Sequence, residues 1–360
     1  MGEGSWIGLD VHARSVVAAV IDEASGEVVV ARAPVGVGEL VAWVRSHHGL
    51  VRAAYEAGPT GFGLSRAFEA AGVGCVVAAP SLIPRSVAGR GRKRDASDAE
   101  LLARALRRGE LVGVRVPDAR DEAARDLVRA REDARGDLMR ARHRLSKLLL
   151  RHGRVFDGRA WTLAHDGWLR RQVFEHPGSD AAFDDYYQAV LTIRLRRDGL
   201  DEKIAELARD PRFAPLVGRL GCLRGVGTLT AFALCVEIGD WSRLTGATIG
   251  SYLGLVPSEH QSGQKHTRGS ITKAGNSHAR RLLVEAAWHH RKPHRTSVEL
   301  ERRRDGQRPE VRARAELAGR RLHQRWRHLE QHRGVRSTVV AVAVARELAG
   351  FCWSLAVMDD

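Results

Sequence analysis

Cysteine is scarce and scattered in this 360-residue chain: Cys75, Cys222, Cys235 and Cys352 form no CxxC or Cys/His spacing. That excludes a disulfide framework and a cysteine-based zinc site, and the four read as core thiols. Long apolar runs are missing too. Nothing in the chain is an unbroken stretch of the roughly 18 apolar residues that a membrane span needs. The opening MGEGSWIGLD has neither a basic leader nor an apolar segment ending at a small-residue cleavage site. The chain reads as cytoplasmic, with no membrane partner. Lysine is rare, six of 58 basic residues. A GC-rich coding genome explains arginine over lysine on any solvated face, but not a net excess of base.

That excess is large: 58 basic against 43 acidic residues, a net charge of +15. Residues 1–100 carry 10 Lys/Arg against 11 Asp/Glu, so the remainder holds 48 against 32, or +16. Polyanions are the natural partner, and the basic surface belongs to the C-terminal two thirds. Length suggests two domains or more, and 44% hydrophobic with 28% charged residues is the composition of a folded protein.

The first hundred residues alternate strand and helix signals. Trp6–Ile21 and Glu27–Pro34 read as β, Val37–His47 as helix, Val51–Glu56 as strand, Gly63–Ala71 as helix, Val73–Ala79 as strand and Asp95–Arg108 as helix. Paired strands followed by βαβα units make a mixed α/β sheet. Beyond Pro117 a heptad seam runs through Ala124, Leu127, Ala134, Leu138, Ala141, Leu145 and Leu148, broken by Arg131. Ile193, Leu200, Ile204 and Leu207 repeat it with Arg197 in the seam, after a connector holding Trp161, Trp168 and Gly178. An antiparallel hairpin or an intermolecular coiled coil would follow. Glycine-punctuated helices return after Leu216, and Ser337–Leu355 reads as a buried helix. The Arg-dense stretch Arg291–Arg333 shows no clear stripe and is expected to be partly mobile or to face nucleic acid.

Four acids stand out. Asp10 lies where an apolar strand turns polar, Glu56 ends the next strand before Ala57-Gly58-Pro59, and Asp95 and Asp98 share one face at the start of a helix. Converging carboxylates raise one another's pKa unless cations sit between them, and oxygen ligands favour Mg²⁺ or Mn²⁺. Singly, the plainer reading is the stronger: Asp10 caps a turn, Glu56 is a surface residue, and Asp95 or Asp98 caps the helix that follows. In order, GLDVHARSVVAAVID, YEAGPTG and KRDASDAELLA resemble the DEDD-type transposases of bacterial insertion sequences, whose four acids match Asp10, Glu56, Asp95 and Asp98.

That resemblance implies an α/β plus α architecture. A RuvC-like, RNase H-fold domain would occupy 1–116, a coiled-coil region 117–212, and a mainly helical transposase domain with a helix-hairpin-helix-like turn 213–360. The turn falls at Leu223, Gly225, Val226 and Gly227, where small residues let backbone N–H groups approach a phosphate, or simply cap a helix. In SYLGLVPSEHQSGQKHTRGSITKAGN, Ser262 matches the family's nucleophilic serine, with Ser258, Ser270 and Ser277 nearby. Lys265, His266, Arg268, Lys273, Arg280 and Arg281 would hold phosphates. The resemblance implies a recombinase acting on donor and target DNA, a structured noncoding guide RNA, and a homo-oligomer, dimer or tetramer, in which acids of one subunit work with the serine of another. A RuvC-like nuclease or Holliday-junction resolvase would use the same acids with water as nucleophile. An actin-like ATP-binding domain shares the first strand, but no second glycine-rich phosphate loop is present.

Overall fold

The computed structural model describes residues 4–84, 95–262 and 265–358, with the side chains of 260–268 outside that description. Two compact units form, Met1–Asp118 and Ala119–Asp360.

In the first unit the long β signal resolves into a hairpin, β1 (Gly4–His12) and β2 (Ser15–Asp22), because Ala13-Arg14 turns the chain. β3 (Val28–Ala33), α1 (Val37–Arg45), β4 (Leu50–Glu56), α2 (Gly63–Ala70), β5 (Gly74–Ala78) and α3 (Asp95–Arg107) follow. The sheet order is β3-β2-β1-β4-β5, antiparallel between β1, β2 and β3 and parallel between β1, β4 and β5. This mixed five-stranded sheet is consistent with an RNase H-like domain.

Strand alternation decides which helix covers which face. Ile7, Leu9, Ala53 and Tyr55 pack with Leu40 and Val44 of α1 and Leu64 and Phe68 of α2. On the opposite face Trp6, Ala19 and Ile21 meet Ala99 and Ala103 of α3. Trp6, Gly8 and Asp10 therefore line the α3 side of β1, and Ala54 and Glu56 the same side of β4. Gly8 is buried, and a Cβ built there would overlap the Ala99 carbonyl and the Ala103 amide. Its missing side chain is what lets α3 lie against the sheet.

The second unit begins with an arm. α4 (Ala119–Arg151) buries Ala124, Val128, Ala134, Leu138, Ala141, Leu145 and Leu148, and it packs along α6 (Pro177–Leu207) within one chain, as a hairpin. Arg131, which interrupts the seam, pairs with Asp201 at 2.6 Å, so its charge is met where a leucine would have packed. Between them, α5 (Leu163–Leu169) contains Trp168, and Gly178 belongs to the first turn of α6 instead of a connector. Leu138, Leu145, Leu169, Phe174, Phe183 and Tyr187 make a separate core for the outer arm; burial of each such side chain contributes roughly 1.5–3 kcal/mol.

The rest of this unit comprises α7 (Ala214–Gly221), α8 (Thr228–Ile238), α9 (Ile249–Tyr252), the hairpin β6 (Pro257–Ser262) and β7 (Lys265–Ile271), α10 (Ser277–Ala287), α11 (Val298–Arg304), α12 (Pro309–Arg327) and α13 (Ser337–Ala356). By length and composition α13 could cross a membrane. Here it is a core helix, with Val340, Ala341, Val344, Ala345, Leu348, Ala349, Cys352 and Leu355 buried.

The Arg-dense stretch departs from expectation. It forms α11 and α12, and α12 buries Val311, Ala315, Ala318, Leu322 and Trp326, a stripe of helical period. Two of its arginines brace the glycine turn: Arg304 donates to the Cys222 carbonyl at 3.1 Å and Arg303 to that of Val226. Glu316 of α12 accepts from Arg304 at 3.1 Å and bonds to His294 at 2.8 Å. Those two arginines are structural, whereas Arg302, Arg312, Arg314, Arg320, Arg325 and Arg327 remain exposed.

Candidate active site

Asp10 reaches the α3 side of the sheet at the end of β1, and the register Leu9↔Tyr55 sets Glu56 beside it at the end of β4. Asp95 and Asp98 occupy the first turn of α3, where carboxylates are favoured by the helix dipole. Asp10, Glu56 and Asp98 line one cleft of about 690 Å³ with His12 and the Ala57–Thr60 segment. Ligand atoms of Asp10, His12 and Asp95 all lie within 4.8 Å of one another. The structure thus brings three of the expected acids into one cleft and the fourth beside Asp10.

The floor is rigid. Tyr55, buried, donates from its hydroxyl to the Gly61 carbonyl at 3.2 Å, and the Ala57 amide donates to Ala78 at 2.9 Å. The segment after Glu56 is thereby tied to the sheet at both ends. His12 Nε2 lies 3.2 Å from Asp10 Oδ2 and fixes that carboxylate's orientation. Sequence reasoning missed His12. The signal was present, since residues two apart on a strand share a face.

Ser262 is the last residue of β6 and pairs with Lys265 across the tip of the hairpin. Gly263 lies outside the described residues, as do the side chains of Ser262, Lys265, His266 and Arg268. Lys273 follows β7 in an exposed left-handed conformation, φ 56°, which is uncommon for a residue with a side chain. Arg280 donates to the Leu253 and Ala274 carbonyls at 2.9 and 2.8 Å. Arg281 pairs with Glu132 and Glu285 at 2.5 and 2.6 Å. Both guanidiniums are therefore engaged in holding the fold.

Between α7 and α8, Gly225 has φ 85°, and a Cβ there would meet the Ala286 carbonyl at 2.5 Å. Gly227 precedes the first turn of α8. Both line a cleft of about 740 Å³ with Arg224, Arg295 and Arg303. The cysteines offer no rival nucleophile: burial pushes the thiols of Cys75, Cys235 and Cys352 up to about 12.

A family model described as "Transposase IS116/IS110/IS902 family" matches residues 218–299, and a DEDD-type IS110 transposase model matches residues 7–153. With acids gathered at the strand ends of a mixed sheet, these matches define a DEDD-type transposase. A putative transposase, y4qE, of Sinorhizobium fredii is 42% identical over 304 residues, covering 84% of this chain and 74% of that protein. The transposase for insertion sequence element IS1533 of Leptospira borgpetersenii is 33% identical over 337 residues, covering 91% and 97%. The chain belongs to the IS110 family of insertion-sequence transposases, enzymes that cleave and rejoin DNA.

Proposed function

We propose that the cleft of the first unit is the catalytic centre of this transposase, with Asp10, Glu56, Asp95 and Asp98 as its acids. The observation that carries the reading is the convergence of side chains from β1, β4 and α3 on one cleft. Gathered carboxylates repel unless a cation lies between them, and the donor set fits a divalent ion. The carboxylates suit Mg²⁺ or Mn²⁺. Such an ion, when bound, offsets negative charge developing on a phosphate and its leaving oxygen. The protein's own part is positional: His12 holds Asp10, the sheet holds Glu56, and the first turn of α3 presents Asp95 and Asp98.

Ser262 is proposed as the nucleophile. Its Oγ would bond to phosphorus as the bond to the departing strand breaks, so the phosphoserine keeps the energy that rejoining needs. Its place at a hairpin tip within the matched region 218–299 supports this. Lys265, Arg268 and Lys273 are proposed phosphate contacts, and Gly225 and Gly227 allow close approach of backbone N–H groups. Arg280 and Arg281 would contribute mainly by holding that surface. A structured noncoding guide RNA and a homo-oligomer complete the reading, as does a division of labour among 1–116, 117–212 and 213–360.

Asp10→Ala should lower strand cleavage of element-end DNA by about a thousandfold or more while leaving DNA binding within a few-fold of the parent. Gel assays with Mg²⁺, Mn²⁺ and chelator check this. Cleavage that persists in chelator, or in the variant, would remove the cleft from the chemistry.

A further inference from the structure

The outer arm carries a cavity that the reading above does not use. It measures about 420 Å³ and lies among α4, α5, α6 and the turn at Trp161. Three guanidiniums line it, Arg142 from α4 and Arg194 and Arg197 from α6. Two carboxylates line it as well, but both are committed. Asp198 pairs with Arg197 and, at 3.7 Å, with Arg194. Asp166 accepts from Tyr187 and Arg170, each at 2.8 Å.

Arg142 is left over. Among the described residues no carboxylate lies within ion-pairing distance of it, and its buried Nε has no hydrogen-bond partner. Its guanidinium lies 4.8 Å from the centre of the Trp161 ring. Burial, with Arg197 and Arg194 close by, pulls its pKa below the usual arginine range. His165, only 5% exposed, lines the same cavity with Nδ1 also unpartnered. Trp161 itself has φ 66°, a strained backbone for a bulky residue. An unpaired, half-buried cation and an unpartnered buried imidazole both cost stability. Retaining them at one cavity, beside a strained aromatic residue, is what a binding site for an anion requires. The remaining wall is apolar, from Leu169, Val190 and Leu191, and the volume exceeds what a bare phosphate fills.

We infer that this cavity takes one unpaired nucleotide of a nucleic-acid strand, its phosphate held by Arg142, Arg194 and Arg197 and its base against the aromatic and apolar wall. The inference rests on nucleic acid being the partner, and it is independent of the carboxylate cleft. Single-stranded RNA and single-stranded DNA present the same chemistry.

The test uses the full chain in chelator, so that cleavage plays no part. Three probes of one sequence, each about eight nucleotides long, are compared: single-stranded RNA, single-stranded DNA and the DNA duplex. Photocrosslinking through a substituted uracil, mapped by mass spectrometry, should place a single-stranded probe on the peptide spanning 161–169, and the stronger of the RNA and DNA arms identifies the source. Arg142→Met and Arg194→Gln should each weaken that binding about tenfold. Arg142→Met should also leave the melting temperature unchanged or raise it, because no carboxylate pairs with the charge it removes. A purely structural Arg142 would instead lower the melting temperature and leave affinity unchanged, which overturns the proposal. So would crosslinks mapping outside the cavity, or unchanged affinity in both variants. Duplex binding insensitive to both variants, without single-strand binding, overturns the cavity alone. Failure of all three probes overturns the nucleic-acid reading with it.

Discussion

Gly8→Ala should unfold or loosen the first unit, although it adds a single methyl group. That methyl would enter the backbone of α3 at Ala99 and Ala103, both fully buried, where no flexible side chain can yield. Overpacking in a core typically costs 1–3 kcal/mol, and contact with main chain puts this case at or above about 3 kcal/mol. The same displacement moves Asp95 and Asp98 away from Asp10, so cleavage should fall by about a hundredfold or more even in the fraction that stays folded. Circular dichroism with a cleavage assay separates the two effects. A Gly8→Ala protein with parental melting and activity would mean that α3 does not rest on β1 as described.

Glu237→Ala carries the second large effect, in the other unit. Glu237 lies in the last turn of α8 with its side chain 1% exposed, yet it is ionised among partners from α4 and from the cap and first turn of α10. Asn276 donates to it at 2.7 Å, His278 lies at 3.2 Å, and Arg129 donates twice at 3.3 Å. Burial alone would raise its pKa, but the hydrogen bonds from His278, Arg129 and Asn276 outweigh that and hold it at about 2. Removing the carboxylate releases the half-exposed Arg129 to solvent, takes an ion partner at 3.9 Å from the more buried Arg125, and loosens Asn276, which also caps α10 by accepting from Ala279. A loss of about 1–3 kcal/mol is expected. Because the folded value lies below the ordinary 4.5, the stabilisation is complete above that pH and disappears as pH falls from about 4.5 to about 2. Urea melts at pH 7 and pH 3 should show the parent approaching the variant at the lower pH. Equal losses at both would deny that Glu237 is ionised in the fold.

How much of this was legible in the sequence depended on how local each signal was. Asp10 and Glu56 could be read as strand-end acids because each sits at the end of its own apolar run, and Asp95 and Asp98 because they open a helix rich in Ala and Leu. His12 shares the face of Asp10 two residues along β1, but its place beside Asp95 depends on α3, a contact across more than eighty residues. Gly8 looked like any strand glycine, since nothing in β1 announces the helix backbone pressed on it. The stripe of the Arg-dense stretch was hidden because α12 packs through Ala315, Ala318 and Gly319, small residues whose periodicity is faint beside so many arginines. Arg142 carries no local signal, because only the fold commits Asp166 and Asp198 to other partners.

One measurement bears on the whole account: trapping the strand-transfer reaction on element-end DNA, then digesting the protein and identifying any nucleotide-bearing peptide by mass spectrometry. The account predicts a phosphodiester on Ser262, absent from Ser262→Ala and absent from Asp10→Ala, with Ser258 and Ser277 unmodified. An adduct on another residue would contradict it. So would cleaved ends carrying oxygen from labelled water with no protein attached, which would make the enzyme a hydrolytic nuclease built on the same four acids.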